Sequence, residues 1–125
     1  MSQAKNLLQR ATKTYGQALD GDSKHRRQAF AHLVFGEFYD LSKEYEKAKD
    51  HYLKSEAIYE QLLQNKTIDD VSFLYKQLAL LGVSLKDDAL THIYLKKHLK
   101  TFGFQHPRTQ EIIDYLDRKG LPIPF

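Results

Sequence analysis

His32-Leu33-Val34-Phe35-Gly36-Glu37-Phe38-Tyr39, followed after a polar break by Tyr45-Glu46-Lys47-Ala48-Lys49-Asp50-His51-Tyr52, is the stretch that decides the fold. Phe30, Leu33, Val34, Phe35, Phe38 and Tyr39 form an apolar stripe on a helix expected over 24–41. The stripe is wide enough for burial between neighbouring helices rather than one-sided packing. Gly36 lies inside it. Glycine costs about 1 kcal/mol relative to alanine in a helix interior, so its presence points to a second helix crossing closely. That helix is expected over 43–64 with Ser42 as its N-cap, and Tyr45, Ala48, Tyr52, Ser55 or Ala57, Tyr59 and Leu62 mark its inner face. The two make an antiparallel hairpin.

Working outward, Ala48, Tyr52 and Ser55 stand at i, i+4 and i+7 of one helix face. They have counterparts 37 positions earlier, in Ala11, Tyr15 and Ala18, and 41 positions later, in Ala89, Ile93 and Lys96. Recurrence at this interval predicts stacked helical hairpins. The three prolines stand at 107, 122 and 124, so no obligatory helix breaker interrupts the first 106 residues. Gly21, Asp22 and Ser23 are expected to end a helix over 2–20 and to cap the next. Thr67 with Asp70 predicts the start of a helix over 68–83, and Ser84 with Asp87 that of one over 85–101. Gly103 closes the latter. Pro107 opens a last helix over 107–119, with Ile112, Ile113, Tyr115 and Leu116 as its apolar face, and Gly120 ends it. The expected fold is all-α, with about six helices and no sheet. Residues 1–120 would form one domain and Leu121-Pro122-Ile123-Pro124-Phe125 an extended tail.

The hairpin resembles a tetratricopeptide repeat. Phe35-Gly36, Tyr39, Tyr45, Ala48 and Tyr52 stand at the spacing of that family's leucine-glycine, tyrosine, second aromatic, alanine and aromatic consensus. His32 replaces the family's frequent tryptophan, and the proline usual at the end of the second helix has no counterpart near Glu60. The segment from Ala11 to Ala18 is similar to the second helix of a preceding repeat. In the following unit, aligning Ala89 puts Lys76 and Gln77 where leucine and glycine are expected. Aligning Leu78-Ala79 instead shortens the turn by two residues. Phe102-Gly103-Phe104-Gln105-His106-Pro107-Arg108-Thr109 is similar to the junctions of the longer, kinesin-light-chain type of repeat. The resemblance implies a stack of antiparallel hairpins in a right-handed superhelical array of about two and a half repeats, closed by a C-terminal capping helix.

Nineteen basic and sixteen acidic residues give a formal charge of +3 and interleave along most of the chain. One cluster is less balanced: Lys96, Lys97, His98, Lys100, His106 and Arg108 carry no intervening acid. Read as a solvated helix face, it leaves Lys96, Lys97, Lys100 and Arg108 as the candidate contact for an anion, and nucleic acid is not an expected partner. The absence of cysteine excludes disulfides, thiolate metal sites and cysteine nucleophiles. No apolar stretch approaches the ~20 residues of a membrane span, so a soluble, cytoplasmic protein without membrane contact is expected. None of the six histidines forms an i, i+4 pair, and no metal is expected. His25, His51, His92, His98 and His106 read as surface or capping residues, and His32 as a hydrogen-bonded histidine of the core or groove. Asp69-Asp70 and Asp87-Asp88 read as carboxylates at helix N-termini rather than catalytic pairs. No phosphate loop, nucleophile elbow or cofactor motif occurs, so neither catalysis nor a cofactor is expected.

The expected function is a non-catalytic protein-interaction module, a scaffold or adaptor that binds a peptide or helix on its concave face. In stacked hairpins the first helix of each pair lines that face, giving Leu33, Glu37 and Asp40, with Tyr75 and Gln77 from the next pair. Glu37 and Asp40 would repel a terminal carboxylate and favour a basic or apolar peptide. The alternative is a self-associating structural subunit, joined through the first helix, with Leu7, Leu8, Tyr15 and Leu19, or through the tail.

Overall fold

The computed structural model describes residues 21–62 and 69–124. The helix expected over 2–20, with Ala11, Tyr15 and Ala18, lies outside them. Five helices and no strand occur among the described residues: α1 (Gly21–Leu41), α2 (Tyr45–Leu62), α3 (Asp69–Ser84), α4 (Asp88–Phe102) and α5 (Pro107–Arg118). They fall into two compact units, one holding α1 and α2 and the other α3, α4 and α5. Gly21, Asp22 and Ser23 are already helical, so this triplet is not the break expected there. Glycine's penalty of about 1 kcal/mol is too small to stop a helix by itself.

In the first unit, α1 and α2 run antiparallel. The Ser55 hydroxyl donates to the Ala29 carbonyl at 2.7 Å, far from the turn. Nearer to it, the Tyr39 ring stacks on His51 with centroids 5.4 Å apart. A Cβ on Gly36 would collide with Cδ1 and Cε1 of Tyr52, which confirms a close crossing at Gly36. Ala48, Tyr52 and Ser55 are fully buried, as their spacing predicts.

The turn is built otherwise than expected. Ser42 does not cap α2; its hydroxyl and its N–H both bond back to the Phe38 carbonyl. Lys43 adopts a left-handed backbone (φ 62°), and the Glu44 N–H reaches the Tyr39 carbonyl at 2.8 Å. This six-to-one bond is a Schellman closure, in which the terminal carbonyls of the helix are satisfied by the residues that leave it.

The second hairpin repeats that turn 43 positions later. Lys86 (φ 56°) takes the place of Lys43, and the Asp87 N–H bonds the Gly82 carbonyl at 2.8 Å as Glu44 bonds Tyr39. Asp87 rather than Ser84 caps α4, its carboxylate accepting the Leu90 N–H at 3.1 Å. The offset corrects the alignment. Leu78-Ala79 corresponds to Phe35-Gly36, Thr91 to Ala48, Leu95 to Tyr52 and His98 to Ser55. Thr91 donates from its hydroxyl to the Ala79 carbonyl at 2.8 Å. Ala89, Ile93 and Lys96, expected on the inner face, are all exposed, Ile93 to 50%. The interval is therefore 43 and not 41, and no residue is lost from the turn.

The third helix of this unit, α5, starts with Pro107 at its first turn and ends with Gly120 in a left-handed backbone (φ 69°). Leu121 N–H closes on the Leu116 carbonyl, the same six-to-one bond. Thr109, Ile112 and Leu116 are its buried stripe, one narrow face of an otherwise polar helix. Residues 121–124 are not helical.

Candidate ligand groove

Helices α3 and α5 run parallel. Arg108 at the start of α5 pairs with Asp69 at the start of α3, and Glu111 one turn later pairs with Lys76 two turns later, both at 2.5 Å. The paired cations hold both carboxyls below their ordinary range, chiefly through these hydrogen bonds. Because both pairs reach water, each contributes less than about 1 kcal/mol to stability. Their use is geometric: they fix how far α5 is displaced along α3.

Beyond the Lys76–Glu111 pair, the two helices leave a groove of about 550 Å³ lined by Lys76, Leu80, Glu111, Asp114, Tyr115, Asp117 and Arg118. Glu111, Asp114, Tyr115 and Arg118 recur at i, i+3, i+4 and i+7 and so make one stripe of α5. Lys76 and Leu80 stand one turn apart on α3. By the 43-residue offset they are the counterparts of Leu33 and Glu37, which is why the first helix of this pair presents them here.

This placement revises the expected site. Tyr75 is 3% exposed and packs against Tyr94, at 5.9 Å between centroids, while Gln77 does not line the groove. Leu33 is 2% exposed, so its side chain belongs to the core. Glu37 and Asp40 are half-buried, and burial raises both carboxyls above their ordinary range. Asp40 raises Glu37 further, whereas the Tyr52 hydroxyl, at 3.4 Å from Asp40, acts in the opposite direction on it. These two acids are weaker anions than the sequence implies.

The basic cluster is divided among separate tasks. Lys96 and Lys100 are exposed on α4, but the Lys97 ammonium lies 5.1 Å from the Tyr94 ring centroid and 5.9 Å from that of Tyr75. Arg108 is engaged by Asp69 and lies over Phe73. His98 is 0% exposed, contrary to its reading as a surface residue.

His98 is the centre of a polar junction among three helices. Its Nε2 is 2.7 Å from the Ser72 hydroxyl of α3, and its Nδ1 2.7 Å from the Thr109 hydroxyl of α5. Thr109 donates its proton to the Gly103 carbonyl at 2.9 Å, so Nδ1 must carry the proton that Thr109 accepts. Nε2 then accepts from Ser72, whose oxygen accepts in turn from Arg108 at 3.4 Å. Every position is filled with the imidazole neutral. Burial, and then the nearby His106 and Arg108, push the His98 pKa down to about 4. His106 is itself the N-cap of α5, accepting the Arg108 N–H at 3.1 Å as a capping residue should.

In the other unit, His32 and His51 meet Nδ1 to Nδ1 at 3.0 Å, with Phe35 and Tyr39 stacked on His51. His32 thus has the hydrogen-bond partner expected of it. One ring must donate and the other accept, and burial lowers the His32 pKa.

Asp69 and Asp70 occupy the first turn of α3 and Asp88 that of α4, where carboxylates meet the positive end of the helix dipole. Among the described residues no group of three or more His, Asp or Glu could hold a metal ion, and no helix is long and apolar enough to cross a membrane. Compared with models of known protein families, with curated proteins and with solved structures, the chain matches none of them.

Proposed function

We propose that this chain is a non-catalytic interaction module of tetratricopeptide type, acting as a scaffold or adaptor that seats a peptide between α3 and α5. The observation that carries this reading is the groove itself: an apolar leucine, an aromatic ring and ionisable groups lie along two parallel helices separated by a hairpin partner. Its volume is within the range of sites that hold a few side chains. The 43-residue equivalence of the two turns supports the repeat assignment, because one three-residue closure recurs with the same backbone bonds.

Selection from a random peptide library tests the proposal, with the Leu80→Asp, Tyr115→Ala double variant as counter-screen. Enriched peptides should bind the native chain with micromolar Kd and lose about tenfold or more on the variant, since about 1.4 kcal/mol corresponds to each factor of ten. Peptides that bind both proteins equally would remove the groove as the site.

A further inference from the structure

The charges lining the groove are not equivalent. Lys76 is taken up by Glu111 at 2.5 Å, so neither is available to a ligand without a loss. Asp114 and Asp117 make no ion pair among the described residues. Asp117 lies in the last turn of α5, where the negative end of the helix dipole disfavours a carboxylate, and Asp114 lies one position before that turn. Arg118, the basic residue of the last turn, lines the groove as well, so two carboxylates there face one guanidinium and one negative charge is left over. A cation arriving from outside would balance it.

A second feature shows where such a cation would go. The exposed Lys119, just past the end of α5, holds its ammonium 5.7 Å from the centroid of the Tyr115 ring. The chain's own lysine thus occupies the cation–π position on the one aromatic residue of the groove. Lys119 follows the last helical residue; its backbone N–H bonds the Tyr115 carbonyl at 3.1 Å, but its ammonium makes no ion pair among the described residues, so a ligand's cation can displace the side chain.

Building on the groove as a peptide site, we infer that it selects a peptide in which a lysine or arginine adjoins an apolar residue. The apolar side chain lies against Leu80. The cation takes the Tyr115 face from Lys119 and is balanced by Asp114 and Asp117. Displacement of Lys119 makes the exchange nearly neutral in cation–π contact, so selectivity comes from the two carboxylates and is sensitive to salt.

Three fluorescein-labelled decapeptides provide the test, one alternating leucine with arginine, one leucine with serine and one leucine with glutamate, titrated by anisotropy against the full chain. The arginine peptide should bind at least about tenfold tighter than the glutamate peptide in low salt. Asp114→Asn with Asp117→Asn should weaken it by about tenfold, and Lys119→Ala should tighten it about twofold. Equal affinity of the arginine peptide for native protein and the Asp114→Asn, Asp117→Asn variant overturns the inference, as does preference for the glutamate peptide. In either case, amide NMR shifts at Leu80 and Tyr115 produced by the serine peptide would leave the groove standing as a peptide site. Absence of shifts with all three peptides would remove the groove and the inference together.

Discussion

The two hairpins share one turn and differ in how their helices meet. In α1 and α2 the close approach is at Gly36, where the Tyr52 ring fills the space a side chain would need. In α3 and α4 the equivalent position is Ala79, and the glycine has moved three residues toward the turn, to Gly82, against Thr91 and the Asp87 carbonyl. Farther from the turn, the position of Ser55, which bonds the Ala29 carbonyl within its own hairpin, is taken by His98. His98 bonds Ser72, the counterpart of Ala29, and reaches Thr109 of α5 as well. The same backbone frame therefore serves two ends. A short hydroxyl closes a hairpin on itself, whereas an imidazole at that place joins the hairpin to a further helix.

The largest test of that contrast is acidity. The folded pKa of His98 lies near 4, below its ordinary 6.5, so the native state prefers the neutral ring. The resulting stability is present above pH 6.5 and is lost as the pH falls toward 4, by about 3 kcal/mol in all. Urea unfolding at a series of pH values should show this loss in the native chain and not in His98→Gln. Parallel pH curves for the two proteins would mean that the junction is not a neutral imidazole.

Next in size are the glycines. Gly82→Ala sets a methyl group 2.7 Å from the Thr91 backbone nitrogen and 2.9 Å from the Asp87 carbonyl oxygen, so backbone must move. Gly36→Ala meets first the ring of Tyr52, at Cδ1, Cε1 and Cγ, which is side chain and not backbone. The expected costs are about 3 and about 1–2 kcal/mol, read from urea midpoints with unchanged slopes. A reversed order would show that the ring, not the backbone, sets helix separation.

The smallest effect separates the hydroxyls. Ser72→Ala strips a buried nitrogen of His98 of its donor, at about 1–2 kcal/mol, while Ser55→Ala leaves a helical carbonyl that keeps its backbone bond, at about 0.5 kcal/mol. Equal costs in thermal melts would argue that the Ser72 bond to the buried imidazole contributes nothing beyond the hydroxyl bond of the first hairpin.

The first hairpin was legible because its markers are unambiguous: Gly36, Ala48 and Tyr52 are small or aromatic at helical spacing and lie where that spacing puts them. The second misled because its markers are replaced. Thr91 does the work of the small residue through its hydroxyl bond to Ala79, while Ala89, which looks the part, faces solvent. Ser42 and Ser84 resemble N-caps, yet the turns are set by left-handed lysines that carry no glycine signature. On α5 the expected face of Ile112, Ile113, Tyr115 and Leu116 holds for Ile112 and Leu116, which are buried with Thr109, whereas Tyr115 belongs to the stripe of Glu111, Asp114 and Arg118, which acquires meaning only once α3 lies beside it. His98 looked like one more basic residue in a basic run, since burial depends on helices distant in sequence.

The three-residue turns also bear on how the chain acquires its structure. A helix pair that closes through so short a connection makes its contacts between residues near in sequence, and such low contact order is associated with folding in microseconds to milliseconds. Loop closure costs little when the loop is a single Schellman turn. As the chain is synthesised, α1 and α2 can therefore pair as soon as Leu62 has emerged. The junction at His98 must wait for Thr109, so the second hairpin's buried hydrogen bonds are completed only by a helix made after it.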